Sequence, residues 1–129
     1  MHRPVVLVVE DEVLIRLVLA DWLRECGMDC LEAADADEAL QTLQSDCDID
    51  LVFTDIRMPG KLNGLDLAKW MREQRPYTPV ILASAHRPPA DGSALADVPF
   101  FNKPYDLAAV TARIRDLVGP AAVQRAAAP

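Results

Sequence analysis

The sequence predicts a doubly wound α/β fold: a parallel sheet with helices on both faces. Two observations carry this expectation. Short apolar runs alternate along the chain with stretches of helical periodicity, the pattern of right-handed β-α-β crossovers. The runs at 5–9, 51–54 and 80–83 are near-continuous in apolar character instead of alternating with polar residues, which suits strands buried on both faces.

The first strand is Val5 to Val9, β-branched residues and leucine. A helix follows from about Val13 to Cys26, with Ile15, Val18, Leu19 and Trp22 at i, i+3, i+4 and i+7 on one inward face. Gly27 is placed to stop it. Leu14 and Leu17 lie off that face, and an exposed apolar patch there would need a partner. Cys30 to Ala33 is the expected second strand. Asp35 opens the next helix with Glu38 three residues on, a variant of the capping box, and Ala39, Leu40 and Leu43 face inward. Leu51 to Thr54 is the third strand. The turn-rich loop 58–64 then leads into a helix with Leu65, Ala68 and Met71 inward. Val80 to Ala83 and Phe100 to Asn102 are the fourth and fifth strands. Asp106 caps the last helix, whose stripe is Leu107, Val110, Ile114 and Leu117, ended by Gly119-Pro120.

A chain of 129 residues with half of them apolar fits one domain with a sizeable core. That domain is expected over residues 1–119, with an alanine-rich tail at 120–129. Net charge is −7, which speaks against a nucleic-acid footprint and against docking on anionic membrane. Cys26, Cys30 and Cys47 have neither disulfide nor zinc spacing. No apolar stretch approaches the roughly 20 residues of a bilayer span, and no leader is visible before the first strand, so the expected location is the cytoplasm.

In an open parallel sheet the site lies at the carboxyl ends of the strands. The polar residues that end the apolar runs should therefore converge: Glu10 and Asp11, Asp55, Ser84 and Lys103. Three carboxylates in one place need a compensating cation. A hard divalent ion with oxygen ligands fits, and Mg²⁺ favours one or two carboxylates with water and phosphate. A carboxylate nucleophile, a divalent ion, a lysine and a hydroxyl are the parts for phosphoryl transfer to an aspartate. His2 has no ligand spacing around it, and the Gly60/Gly64 pair is too sparse to cradle a nucleotide.

Four segments carry a resemblance. Val-Val-Glu10-Asp11-Glu12, Thr54-Asp55-Ile-Arg57-Met58-Pro59-Gly60, Leu82-Ala83-Ser84-Ala85 and Lys103-Pro104-Tyr105 resemble the signatures of response-regulator receiver domains of the CheY-like, single-domain type, over about residues 4 to 119. The resemblance implies a five-stranded sheet in the flavodoxin-like order 2-1-3-4-5. It implies Asp55 as phosphoacceptor, Asp11 and Asp55 as direct Mg²⁺ ligands, Glu10 reaching the metal through water, and the Arg57 backbone carbonyl completing the coordination. It further implies Ser84 following the phosphoryl group, Lys103 as the active-site lysine before a bond that is often cis, and Phe100 at the aromatic switch position. Arg57 and His86 fall where residues tune dephosphorylation. The implied partner is a histidine kinase or a histidine phosphotransfer protein, docking beside the first helix at Leu14 and Leu17.

The sequence departs from the family in two places. The loop after Gly60 is one residue longer than the commonest pattern. Between Ser84 and Phe100, where a fourth helix is usual, the chain has Pro88, Pro89, Gly92 and Pro99. Proline in a helix interior costs about 3 kcal/mol, so the fourth helix is expected to be truncated, displaced or missing. That places the usual output face, and the usual homodimer interface, in question.

The expectation is thus a receiver without an attached effector, since no DNA-binding segment is read after Gly119. It would shuttle phosphate or switch the binding of a downstream protein, and catalyse nothing beyond its own phosphorylation and dephosphorylation. Two rivals share its fold. A pseudo-receiver regulated by contact alone is disfavoured by intact Asp11, Asp55, Ser84 and Lys103. A phosphohydrolase with an aspartyl nucleophile needs an acid two residues later, where Arg57 cannot release a proton.

Overall fold

A computed structural model describes residues 3–45, 48–85 and 97–119. Its elements follow one another as β1 (Val5–Val9), α1 (Val13–Glu25), β2 (Asp29–Ala33), α2 (Ala36–Gln44), β3 (Leu51–Asp55), α3 (Gly64–Gln74), β4 (Val80–Ser84), β5 (Phe100–Asn102) and α4 (Leu107–Leu117). The strands form a single parallel sheet in the order β2-β1-β3-β4-β5. Both the expected order and the parallel pairing are therefore present. The segment expected to lack a regular fourth helix falls largely on residues 86–96, outside the described residues, as do His2, His86, Cys47 and the tail at 120–129.

Alternation along the strands sorts the core into two layers. Val6, Val8 and Phe53 meet Leu19 and Leu23 of α1 and Val110 and Ile114 of α4. Leu7, Val9 and Val52 point the other way, against Ala39 and Leu43 of α2 and Leu67 and Met71 of α3. A smaller cluster of Ile56, Ala68 and Leu82 lies beside β5. Burying each such aliphatic side chain stabilises the fold by about 1.5–3 kcal/mol, so both helical layers are needed to hold the strand ends in register.

Two side-chain assignments change. Val18 is 56 % exposed, and α1 turns Leu19, Ala20 and Leu23 inward, with Ile15 and Trp22 half-buried. In α3 the deepest leucine is Leu67, while Leu65 is only partly buried. Both helices carry apolar residues around more than one face, and the one that wins is set by the neighbours it meets. The cap of α2 also differs in detail. Asp35 accepts from the Glu38 N–H at 2.9 Å, but the Glu38 carboxylate reaches back to the N–H of Ala34 and not to that of Asp35.

The α1 and α4 helices are joined by a polar contact. The Trp22 indole N–H donates to Thr111 Oγ1 at 2.7 Å, and that hydroxyl donates to the Leu107 carbonyl at 2.8 Å. Thr111 is buried, and the pair satisfies two groups that would be costly to leave unpaired.

Candidate functional site

The carboxyl ends of β1, β3, β4 and β5 bring the expected residues together. Glu10 follows β1 and is buried at 4 % exposure, and Asp55 ends β3 at 6 %. Glu10, Asp11 and Asp55 each offer a carboxylate oxygen, all within 4.8 Å of one another. Asp11 is the most solvent-facing of the three. Lys103, just past β5, places its ammonium against Glu10 and donates to Asp55 at 3.1 Å. The Lys103-Pro104 bond is cis.

Backbone pairing sets this arrangement. The Lys103 N–H donates to the Ser84 carbonyl at 2.9 Å, and the Ile56 N–H to the Ala83 carbonyl at 2.9 Å. Ser84 is the last residue of β4, is buried, and lies opposite Asn102 of β5. Both β3 and β4 extend one residue beyond the expected strands, so Asp55 and Ser84 are strand residues and not the start of a loop.

The electrostatics follow from burial. Removing Glu10 from water pushes its pKa up to about 7, opposed by the Lys103 hydrogen bond and by the Glu12 N–H, and reinforced by the Asp55 charge. Burial works against the Lys103 ammonium, yet its hydrogen bonds to Glu10 and Asp55 outweigh this and raise its pKa. Lys103 is thus the local counter-ion for the acidic group. A divalent cation fits the same group. Carboxylate oxygens within 4.8 Å of one another can share one ion whose oxygen bonds run about 2.0–2.6 Å.

The remaining candidates are placed as follows. Arg57 is exposed, two residues past Asp55. Phe100 starts β5 opposite Leu82 and packs, partly buried, against the cluster of Ile56, Ala68 and Leu82. Leu14 and Leu17 are exposed at 76 % and 40 %, and with Val13 and Val18 they form an apolar side of α1 beginning two residues after Asp11.

Two contributors are not singled out by the sequence. Gly64 opens α3 against the backbone of β3, where a Cβ would stand 2.1 Å from the Asp55 carbonyl oxygen. Its N–H donates to the Ile56 carbonyl at 2.9 Å. Just before it, Asn63 and Asp66 form a reciprocal capping box. The Asn-x-x-Asp spacing ahead of an apolar helix is a signal that could have found that cap. The second is Arg16, whose guanidinium donates to the Glu10 carbonyl at 2.8 Å; a lone arginine on a helix carries no such signal.

Comparison with known proteins agrees with this geometry. A family profile described as response regulator receiver domain matches residues 6–115. The aerobic respiration control protein ArcA of Escherichia coli is 36% identical over 120 residues, covering 92% of this chain and 50% of ArcA. The DNA-binding transcriptional regulator NtrC of the same organism is 40% identical over 86 residues, covering 67% of this chain and 18% of NtrC. The chain thus spans at most half the length of these relatives. Among solved structures, the response regulator protein TrrA of Thermotoga maritima, in complex with Mg²⁺-BeF, superposes with a TM-score of 0.80 at 31% identity, covering 88% of this chain and 98% of TrrA.

Proposed function

Since this chain belongs to the response regulator receiver domain family, we propose that it accepts a phosphoryl group on Asp55 from a histidine kinase or a histidine phosphotransfer protein. The observation that carries the reading is the convergence of Glu10, Asp11 and Asp55 within 4.8 Å, with Lys103 bridging Glu10 and Asp55. In this reading an Asp55 oxygen attacks phosphorus, the bond to the donor's imidazole nitrogen breaks, and its electron pair returns to the imidazole. Asp11 and Asp55 would hold Mg²⁺ directly, Glu10 would reach it through water, and the Arg57 carbonyl would complete the set. The ion would neutralise charge on the transferring oxygens. Lys103 and Ser84 then engage the phosphoryl oxygens, and Arg57 and His86 tune hydrolysis. Switching of partner binding follows as a shift between pre-existing states, with Ser84 and Phe100 as the moving residues.

The apolar side of α1, Val13, Leu14, Leu17 and Val18, supports a phosphodonor helix docking beside the acidic group. Exposed Arg57 has no transferable proton for a leaving group, which favours a switch over a turnover phosphohydrolase. The test is intact-mass spectrometry after incubation with acetyl phosphate or phosphoramidate and Mg²⁺. A single phosphoryl adduct that requires Mg²⁺ and vanishes in Asp55→Ala is expected. A folded protein that forms no adduct and binds no Mg²⁺ would instead be a pseudo-receiver.

A further inference from the structure

Arg16 stands behind the acidic group, on the second turn of α1, with its side chain only 16 % exposed. Its Nη1 donates to the Glu10 carbonyl at 2.8 Å and its Nε to Glu32 Oε1 at 3.2 Å. The other Glu32 oxygen accepts from Arg24 Nη2 at 3.1 Å, and the same nitrogen donates to the Cys30 carbonyl at 2.9 Å. Glu32 lies on β2, opposite Val8 of β1. A carboxylate of the edge strand is thus clamped between two arginines of α1, and one of them reaches on to the end of β1.

The consequence falls on the backbone of Glu10. Its N–H donates to the Ala33 carbonyl at 3.0 Å, and its carbonyl is held by Arg16. Glu10 is therefore held on both flanking peptides, at its N–H by Ala33 and at its carbonyl by Arg16, and the peptide that leads into Asp11 is anchored at its oxygen. The planar guanidinium can hold the carbonyl and the carboxylate at once, which a lysine ammonium on a flexible stem does less well. Arg16 is also a positive charge beside a site built for a cation, and Glu32 offsets that charge without entering the site.

We propose that Arg16, oriented by Glu32, is a positioning residue that presets the Glu10-Asp11 peptide for a divalent cation. This rests on the receiver reading given above. Groups that orient metal ligands without touching the ion typically change affinity by about 10- to 100-fold when removed, and the lower end is expected for a contact made through a carbonyl.

The experiment is isothermal titration of unphosphorylated protein with Mg²⁺, with a thermal melt of each variant. Arg16→Ala is expected to raise Kd about tenfold. Arg24→Ala also breaks an ion pair of Glu32 but leaves the Glu10 carbonyl held, so it should keep the wild-type Kd. Arg16→Lys keeps the charge without the fork and is expected to bind weakly as well; it carries the same test should the alanine variant not fold. An unchanged Kd in folded Arg16→Ala or Arg16→Lys would overturn the proposal, as would an equal loss in Arg24→Ala, which would mark a general loosening of α1 on β2. If wild type and Asp11→Asn both fail to bind Mg²⁺, the receiver reading falls with it; if wild type binds and the Arg16 variants match it, only this inference falls.

Discussion

Gly64 leaves no room for a side chain against Asp55, because a Cβ there would sit 2.1 Å from the Asp55 carbonyl oxygen. Gly64→Ala must therefore push α3 away from β3 or shift the end of β3 itself. The expected cost is about 1–3 kcal/mol of stability, read from urea unfolding. Adduct formation on Asp55 with acetyl phosphate should slow in the folded fraction. A variant with wild-type stability would show that α3 can slide without cost.

Lys103 is the cation that Glu10 and Asp55 share. Lys103→Ala leaves these buried carboxylates without their counter-ion, so Mg²⁺ should raise its melting temperature by more than it raises that of wild type. Phosphorylation at saturating Mg²⁺ should nonetheless slow by about 10²–10³-fold, the usual cost of removing one donor from developing oxyanion charge. Differential scanning fluorimetry and a mass-spectrometric time course measure the two effects. An equal Mg²⁺-induced rise in both proteins would contradict the counter-ion role.

Burial pushes the Cys30 thiol up from 9.0 to about 11. The folded state then holds a proton that the unfolded chain releases, so stability must fall with rising pH in this window. The contribution is complete below about pH 9 and is lost as pH passes through about 11. Urea midpoints at several alkaline pH values should decline, and Cys30→Ala should flatten that part of the decline. Tyr105, raised by burial to about 12, acts with the same sign at higher pH.

Thr111→Val removes the acceptor for the Trp22 indole and should destabilise the protein by about 1–3 kcal/mol, since a partly buried N–H loses its partner. Trp22→Phe removes the donor and leaves the Thr111 hydroxyl bonded to the Leu107 carbonyl, so its cost reflects mainly the lost ring packing. Comparing the two by denaturation separates the hydrogen bond from ring burial.

Leu14→Asp changes a residue that is 76 % exposed and should leave both the melting temperature and acetyl phosphate labelling unchanged. Transfer from a phosphorylated histidine phosphotransfer protein should slow markedly, as measured in a stopped time course. Unchanged transfer would move the phosphodonor to another face.

The fold and most of the site were legible in the sequence for a physical reason. Continuous β-branched runs such as Val5–Val9 admit few alternatives to a buried strand, and each run stops at a residue whose charge or polarity forbids its burial without a partner. Glu10, Asp55, Ser84 and Lys103 are those stops, and parallel topology places them at one edge. Side-chain direction within helices was less legible. Val18 and Leu65 are apolar residues on helices with more than one apolar face, and only the packing of neighbouring elements decides between them. Arg16 was invisible because its role is a contact with a backbone carbonyl. Nothing in a side-chain pattern reports where carbonyls will lie.

The contact between Lys103 and Glu10 spans 93 positions of sequence, and Lys103 hangs from a three-residue strand at the sheet's edge. The cluster therefore cannot be completed on a chain that has not yet extended past Lys103. Closing so long a loop is among the last steps that folding rewards, so a polypeptide ending before Lys103 would hold Asp55 among like charges with no ammonium beside it. The acidic group thus gains its counter-ion only once synthesis has passed Lys103 and the edge strand has docked.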